Sequence, residues 1–188
     1  MIRVIGGLYR GKRLRRVPSP SVRPMPDKLK EALLSILQDK VRDSIFLDGF
    51  AGTGSVGIEV LSRGAKCVVF IDQYFSSVKT IRANLQKCNA EDKARIIEKE
   101  FNRAVIQLAL EKKKFDIVFL DPPYVLLEER NPLKVIKKRD ILSEDGTIIL
   151  RRHFKTKFTP KYYSLERQTR IGDDVLSFYK EKMSQPTP

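Results

Sequence analysis

Near position 120 the chain reads Phe115-Asp116-Ile117-Val118-Phe119-Leu120 and then Asp121-Pro122-Pro123-Tyr124. The first six residues have the apolar and aromatic character of a short buried strand. The four after them combine a carboxylate, two residues without a backbone N–H, and an aromatic ring. Two prolines can simply end a strand and stiffen a loop. Flanked by an acid and a ring, they also form a set suited to the exocyclic amino group of a nucleobase. Such a nitrogen is a poor nucleophile, because its lone pair is delocalised into the ring. The Asp121 carboxylate and the Pro122 carbonyl can accept its hydrogens and hold it in line with an electrophilic methyl group. Pro123 fixes the loop, and Tyr124 can stack on the base, a contact worth ~1–3 kcal/mol. Catalysis of this kind rests on positioning and electrostatics and needs no metal. A base inside a helix would have to be flipped out, whereas a loop base is easier to present.

A second group of residues precedes it. Asp48-Gly49-Phe50-Ala51-Gly52-Thr53-Gly54-Ser55-Val56-Gly57 follows a short apolar run. Its glycines permit a tight turn and let a ligand approach the backbone. Asp72, with Gln73 beside it, closes the next strand; an acid there can accept hydrogen bonds from both ribose hydroxyls of an adenosine. Gly52-x-Gly54-x-x-Gly57 satisfies the dinucleotide fingerprint. The same loop suits S-adenosylmethionine, with Asp48 and the backbone facing the amino-acid end. A turn that merely packs helix on strand is a third reading, weakened because strand, loop, helix and acid all occur in order. The loop leaves NAD and S-adenosylmethionine open. Nicotinamide chemistry has no evident use for Asp121 to Tyr124.

These groups need a scaffold, and the pattern of the chain supplies one. From Ser44 onward, short buried strands (45–48, 67–71, 95–97, 115–120, 147–150) alternate with helical stretches (54–63, 76–87, 101–111, and a basic one ending near Arg139). Such alternation predicts a parallel sheet covered on both faces. The last two strands, Tyr162–Gln168 and Val175–Tyr179, flank a Gly172-Asp173 turn and form a hairpin. The expected fold is α/β: a Rossmann-like, seven-stranded, mostly parallel sheet with one antiparallel strand, helices on both faces and a small basic N-terminal arm. Ligands then bind at the carboxyl ends of the strands, just after Asp48, Asp72, Ile97 and Leu120. Residues 1–26 form the arm and linker, with a small hairpin around Gly6-Gly7 and Gly11. Residues 27–182 form the main domain, and 183–188 a frayed tail. Its first helix is expected to be capped by Asp27, with Leu29, Ala32, Leu33, Ile36 and Leu37 on one stripe and Lys28, Lys30 and Glu31 on other faces.

The 188 residues carry 37 Lys and Arg against 23 Asp and Glu, a formal net charge of +14. That surplus points to nucleic acid or an anionic membrane as a partner, with a merely basic, well-solvated surface as the plainer reading. The arm concentrates it: Arg3, Arg10, Lys12, Arg13, Arg15, Arg16 and Arg23 occur with no acid, and Tyr9 lies among them. This suits a phosphate backbone plus one stacking ring; the plainer alternative is an arm that shields a sheet edge. Lys112–Lys114, Lys137–Arg139 and Arg151-Arg152 read as solvated faces, and His153 as a surface residue. No apolar run reaches the ~18 residues of a spanning helix, and the opening residues lack a secretory apolar stretch. Two cysteines and one histidine exclude a disulfide framework and argue against zinc or a Ser-His-Asp site. A cytoplasmic protein with no membrane and no metal partner is expected.

Asp121-Pro122-Pro123-Tyr124 resembles the signature of amino-group methyltransferases acting on nucleobases. Within that class the chain resembles the bacterial 16S ribosomal RNA guanine-N2 methyltransferases of the RsmD type, over nearly its whole length. The resemblance is carried by Arg3-Val4-Ile5-Gly6-Gly7, Tyr9-Arg10-Gly11, Arg23-Pro24, Asp27 with Glu31-Ala32-Leu33, Phe50-Ala51-Gly52-x-Gly54, Gly57-Ile58-Glu59, Leu61-Ser62-Arg63-Gly64-Ala65, Asn84-Leu85 and Phe115-Asp116 through Tyr124. It implies S-adenosyl-L-methionine as donor and one guanine of 16S RNA as target, in an assembling small subunit carrying ribosomal proteins. We expect a monomer. It also implies a cofactor site made of Asp48, Gly49, Phe50, Ala51, Gly52, Gly54, Asp72, Gln73, Glu100 and Phe101.

The chain departs from the family pattern in four places. Gly49-Phe50 stands for the usual Leu-Phe. Glu100 stands for an Asp near the adenine, one methylene longer. Met25-Pro26 replaces part of an Arg-Pro-Thr stretch, and Arg151 lies where an acid is often found. The competing readings are a DNA adenine-N6 or cytosine-N4 methyltransferase, for which 188 residues leave no separate sequence-reading domain; an NAD-dependent oxidoreductase; and a catalytically silent RNA-binding module.

Overall fold

The computed structural model describes residues 2–19, 22, 24–123, 126–127 and 131–182. Two short strands, β1 (Ile2–Arg3) and β2 (Arg13–Leu14), open the chain and pair antiparallel. Helix α1 (Asp27–Leu37) follows. Then come β3 (Ile45–Asp48), α2 (Ser55–Ser62), β4 (Cys67–Asp72), α3 (Phe75–Cys88), β5 (Ala94–Glu98), α4 (Phe101–Leu110) and β6 (Phe115–Leu120). Helix α5 (Pro132–Arg139) and strands β7 (Leu142–His153), β8 (Tyr163–Ile171) and β9 (Asp174–Glu181) complete it. The main sheet has the order β5-β4-β3-β6-β7-β9-β8. Strands β5 to β7 are parallel, and β9 runs against both its neighbours. It is the one reversed strand the sequence pattern predicts. Among the described residues no helix is long and apolar enough to cross a membrane.

Strand β7 is longer than the apolar run Thr147–Leu150 suggests. Leu142 pairs with Phe115, and a register shift intervenes before Ile117 meets Thr147. The polar Ser143-Glu144-Asp145-Gly146 stretch that conceals the strand's beginning lies within this irregular segment.

Side chains alternate between the faces of each strand. Phe46, Phe70, Phe119, Ile149 and Leu176 meet the core under α1, α2 and α3. Leu47, Ile71, Val118, Leu120 and Leu150 meet the core under α4 and α5. Helix α2 comes so close to β4 that a Cβ on Gly57 would lie 2.3 Å from the Phe70 ring. Only glycine permits that approach.

Two local expectations need correction. Asp27 is the first residue of α1, and its cap is Pro26, whose carbonyl accepts the N–H groups of Leu29 and Lys30. The Asp27 carboxylate instead lies 3.6 Å from the Lys30 ammonium and 3.8 Å from the Arg3 guanidinium. The buried stripe is Leu29, Leu33, Leu34 and Leu37, with Ala32 and Ile36 half-buried. Lys30 joins that buried side, because its ammonium reaches the Arg3 carbonyl at 2.9 Å and the Glu59 carboxylate at 3.4 Å.

Glu59 is the centre from which the arm hangs. It is fully buried on α2. It accepts the N–H groups of Ile5 and Gly6 at 3.0 and 2.9 Å and is ion-paired to Arg63. One turn away, Ser62 Oγ accepts the Tyr9 N–H at 2.8 Å and donates to the Gly6 carbonyl at 2.6 Å. Gly7 has φ +76°, and a Cβ there would strike the Ser62 carbonyl. Asn84 of α3 accepts the Arg15 N–H at 2.7 Å and donates to the carbonyls of Arg15 and Thr53. Buried Ile2, Val4, Tyr9, Leu14 and Val17 line the inner side of this segment, while Arg10, Lys12, Arg13, Arg15 and Arg16 stay exposed.

Removing one partner of a buried ion pair costs ~3–5 kcal/mol. Glu59→Ala is therefore expected to lower unfolding free energy by about that amount in urea titration. It should also expose the arm's basic residues to trypsin under native conditions.

Candidate active site

Because Asp48 follows Leu47 and Asp121 follows Leu120, both carboxylates emerge at the carboxyl ends of adjacent central strands, on the face covered by α2. Asp48 is buried and accepts the Gly57 N–H at 3.1 Å. Burial pushes its pKa up to about 7; the Gly57 N–H opposes this, and the charges of Asp121 and Asp72 add to it. Asp72 accepts the Gly52 N–H at 2.8 Å on one oxygen and the Tyr74 N–H at 3.0 Å on the other. Its carboxyl is also raised by burial, against these N–H groups. The loop between the acids turns through left-handed Gly52 (φ +55°) and Gly54 (φ +74°). Ala51 and Gly49 are tied to the strand ends through the carbonyls of Ile71 and Phe119. Val22, in the linker, lies across Gly52.

The structure brings together Asp48, Gly49, Phe50, Ala51, Gly52, Gly54, Asp72 and Phe101. Phe50 and Phe101 stack with ring centres 4.9 Å apart. A Cβ on Gly49 would fall 2.8 Å from both the Phe101 ring and a Leu120 methyl. That accounts for glycine where the family pattern has leucine: its space is already filled. Gln73 is exposed on the rim. Glu100 caps α4, accepting the Arg103 N–H at 3.2 Å, a role that the sequence pattern does not announce.

Asp121 directly follows β6 with its side chain 27% exposed, and buried Pro122 and exposed Pro123 come next. Arg151 of β7 donates to its Oδ2 at 2.6 Å and to Asp174 Oδ1 at 3.0 Å. Burial raises the Asp121 pKa, Arg151 lowers it, and Asp174 raises it. Arg151 is 13% exposed and Arg152 is buried, so this pair is not a solvated face. The signal that could have found Arg151 is strand register: Leu120 pairs with Leu150, which places the following residues side by side. Of the arm residues, Tyr9 is 8% exposed and packs in the core, so its ring is not free to stack on a base. Its spacing among arginines concealed that it faces inward. Tyr124 and Arg23 lie outside the described residues. A hollow of about 280 Å³ beside Lys134 and Tyr163 lies at the amino end of β8, the edge opposite this rim.

The sequence matches the family described as Conserved hypothetical protein 95 over residues 2–180. The chain belongs to this family. It is 32% identical to the Ribosomal RNA small subunit methyltransferase D of Haemophilus influenzae, covering 91% of this chain and 89% of that protein. The solved structure of the Escherichia coli protein yhhF aligns with a TM-score of 0.82 at 26% identity, over 97% of this chain and 99% of that one. An RNA methyltransferase from Salinibacter ruber, solved with S-adenosyl-L-homocysteine, aligns at 0.68 and 16% identity, over 88% and 98% of the two chains. At that identity the likeness is one of fold.

A carboxyl raised to about 7 binds a proton in the folded protein between pH ~4 and 7 that the unfolded chain releases. Its burial therefore costs stability increasingly as pH rises through that window, and fully above it. Asp48→Asn keeps the acceptor for Gly57 without the charge. It should raise the melting temperature of the ligand-free protein by several degrees at pH 8, by less at pH 5, and leave it nearly unchanged near pH ~3.

Proposed function

We propose that this family member methylates the exocyclic N2 of a guanine in 16S ribosomal RNA, with S-adenosyl-L-methionine as donor. The observation that carries this is the meeting of Asp121-Pro122 with Asp48 and the glycine loop at one rim of the sheet. The related methyltransferase D and the shared fold with an S-adenosyl-L-homocysteine-bound RNA methyltransferase support the chemistry and the cofactor.

The chain's own residues fit that donor. Asp72 and Asp121 both lie close enough to Asp48 to raise its carboxyl, and such a concentration of acids suits a cationic sulfonium. It would repel the pyrophosphate of NAD, which is the argument against the oxidoreductase reading. The loop from Gly49 to Gly54, with Asp48 and Phe50, would hold the amino-acid end. Asp72 and Gln73 would take the ribose, and Phe101 and Glu100 would flank the adenine. When bound, the donor supplies a methyl group already activated on positive sulfur. The protein's task is then to orient the acceptor. The Asp121 carboxylate and the Pro122 carbonyl receive the hydrogens of the target amine, and Tyr124 stacks on its base. Exposed Arg3, Arg10, Lys12, Arg13, Arg15 and Arg16, with Arg23, engage RNA phosphates. The enzyme acts as a cytoplasmic monomer on RNA in an assembling small subunit.

Mass spectrometry of 16S RNA from cells lacking the gene should show one missing methyl, restored by the wild-type protein. An unchanged methylation map would overturn the proposal. Asp121→Ala should reduce transfer by at least ~10²–10³-fold while cofactor affinity is nearly kept. Reversing Arg13, Arg15 and Arg16 to glutamate should weaken RNA binding and reduce the log–log salt slope by ~1 for each phosphate no longer engaged; an unchanged slope would remove the arm from the interface.

A further inference from the structure

Arg151 is the departure from the family pattern for which the proposed reaction gives no role. The register carries Leu120 opposite Leu150, and the next residues on both strands turn to the face that holds Asp48. Arg151 therefore stands beside Asp121 on the same rim. Its Nη1 donates to Asp121 Oδ2 at 2.6 Å, and its Nε donates to Asp174 Oδ1 at 3.0 Å. The two hydrogen bonds use different nitrogens of one rigid plane, so the guanidinium is fixed from both sides. The side chain is only 13% exposed, and the two carboxylates are 27% and 20% exposed. A desolvated fork of this kind holds its partner's orientation far better than a surface pair.

We propose that Arg151 is a positioning residue for the transfer reaction, gripping Oδ2 of Asp121 so that Oδ1 is left aimed at the amino group of the base, with Asp174 holding the guanidinium in place. This rests on the role proposed for Asp121 as acceptor of the amine hydrogens. Among the described residues, the charged groups that face Asp121 are Asp48 from β3, Arg151 from β7 and Asp174 from β9. Arg151 is the one cation of these three. Without it, Asp121 would lose the neighbour that holds its pKa down while keeping two acids beside it, so its carboxyl would bind a proton more readily. A protonated carboxyl presents an O–H where the amine needs an acceptor. Lysine could supply the charge, but not two hydrogen bonds from a fixed plane.

The test is the pH dependence of single-turnover methyl transfer to small-subunit RNA. It compares the wild type with Arg151→Gln, Arg151→Lys, Asp174→Asn and Asp121→Ala, alongside donor affinity and melting temperature. Arg151→Gln should move the acid limb up by about one pH unit or more and lower the rate at pH 7 by ~10–100-fold, with donor affinity kept. Arg151→Lys should restore the acid limb but not the full rate. Asp174→Asn should move the acid limb down, because a negative neighbour is removed, while still slowing transfer. Opposite displacements by these two variants are something a purely structural role would not produce. An unmoved acid limb in folded Arg151→Gln, or displacements in the same direction, overturns the inference while an inactive Asp121→Ala leaves the proposed reaction standing. An active Asp121→Ala would remove that reaction, and this inference with it.

Discussion

Burying carboxylates at the end of a parallel sheet is the constraint around which this molecule is arranged. Three acids, Asp48, Asp72 and Asp121, close adjacent strands, and each is partly or wholly withdrawn from water. An isolated charge could not remain there. Backbone N–H groups from Gly57, Gly52 and Tyr74 reach the first two, and a guanidinium reaches the third. The glycine loop takes its left-handed turns so that those amides arrive. The Phe50–Phe101 stack and the Leu120 side chain fill the space behind it. The result is a cluster of carboxylates at one rim of the sheet, inside a protein whose formal charge is +14.

The opposite charge is kept on a separate element. The basic arm has too few apolar residues to fold alone, and the interior of α2 and α3 holds it. Lys30, Glu59, Ser62 and Asn84 bind its backbone, so its arginines stay free to face outward. Attaching the arm through main-chain hydrogen bonds separates the task of holding it from the task its side chains perform. Val22, in the linker, lies across Gly52 of the glycine loop.

Much of this was legible in the sequence. The strand–helix alternation, the reversed final strand, the glycine loop and the acids after β3 and β4 follow from local patterns, because period and turn chemistry are local properties. What stayed hidden was long-range. Asp27 is the one partner of Lys30 close in sequence; the groups that bury its ammonium, the Arg3 carbonyl and Glu59, lie on β1 and α2. Glu59 entered only as part of the family-like Gly57-Ile58-Glu59 stretch, and its purpose depended on where Ile5 and Gly6 settle. Tyr9 looked available because arginines surround it, yet its direction is set by packing. Arg151 appeared as one of two adjacent basic residues until strand register placed it beside Asp121.

The reversal of β9 decides which part of that strand reaches the edge that carries Asp48 and Asp121. In a parallel strand the chain arrives at this edge as it ends; β9 instead begins there, directly after the Gly172-Asp173 turn. Its opening residue, Asp174, is therefore delivered by a tight hairpin of only two residues rather than by a long crossover. The geometry of one end of the rim thus depends on a two-residue bend in the chain, and lengthening that bend would disturb Arg151 without altering any residue of the glycine loop or of Asp121-Pro122.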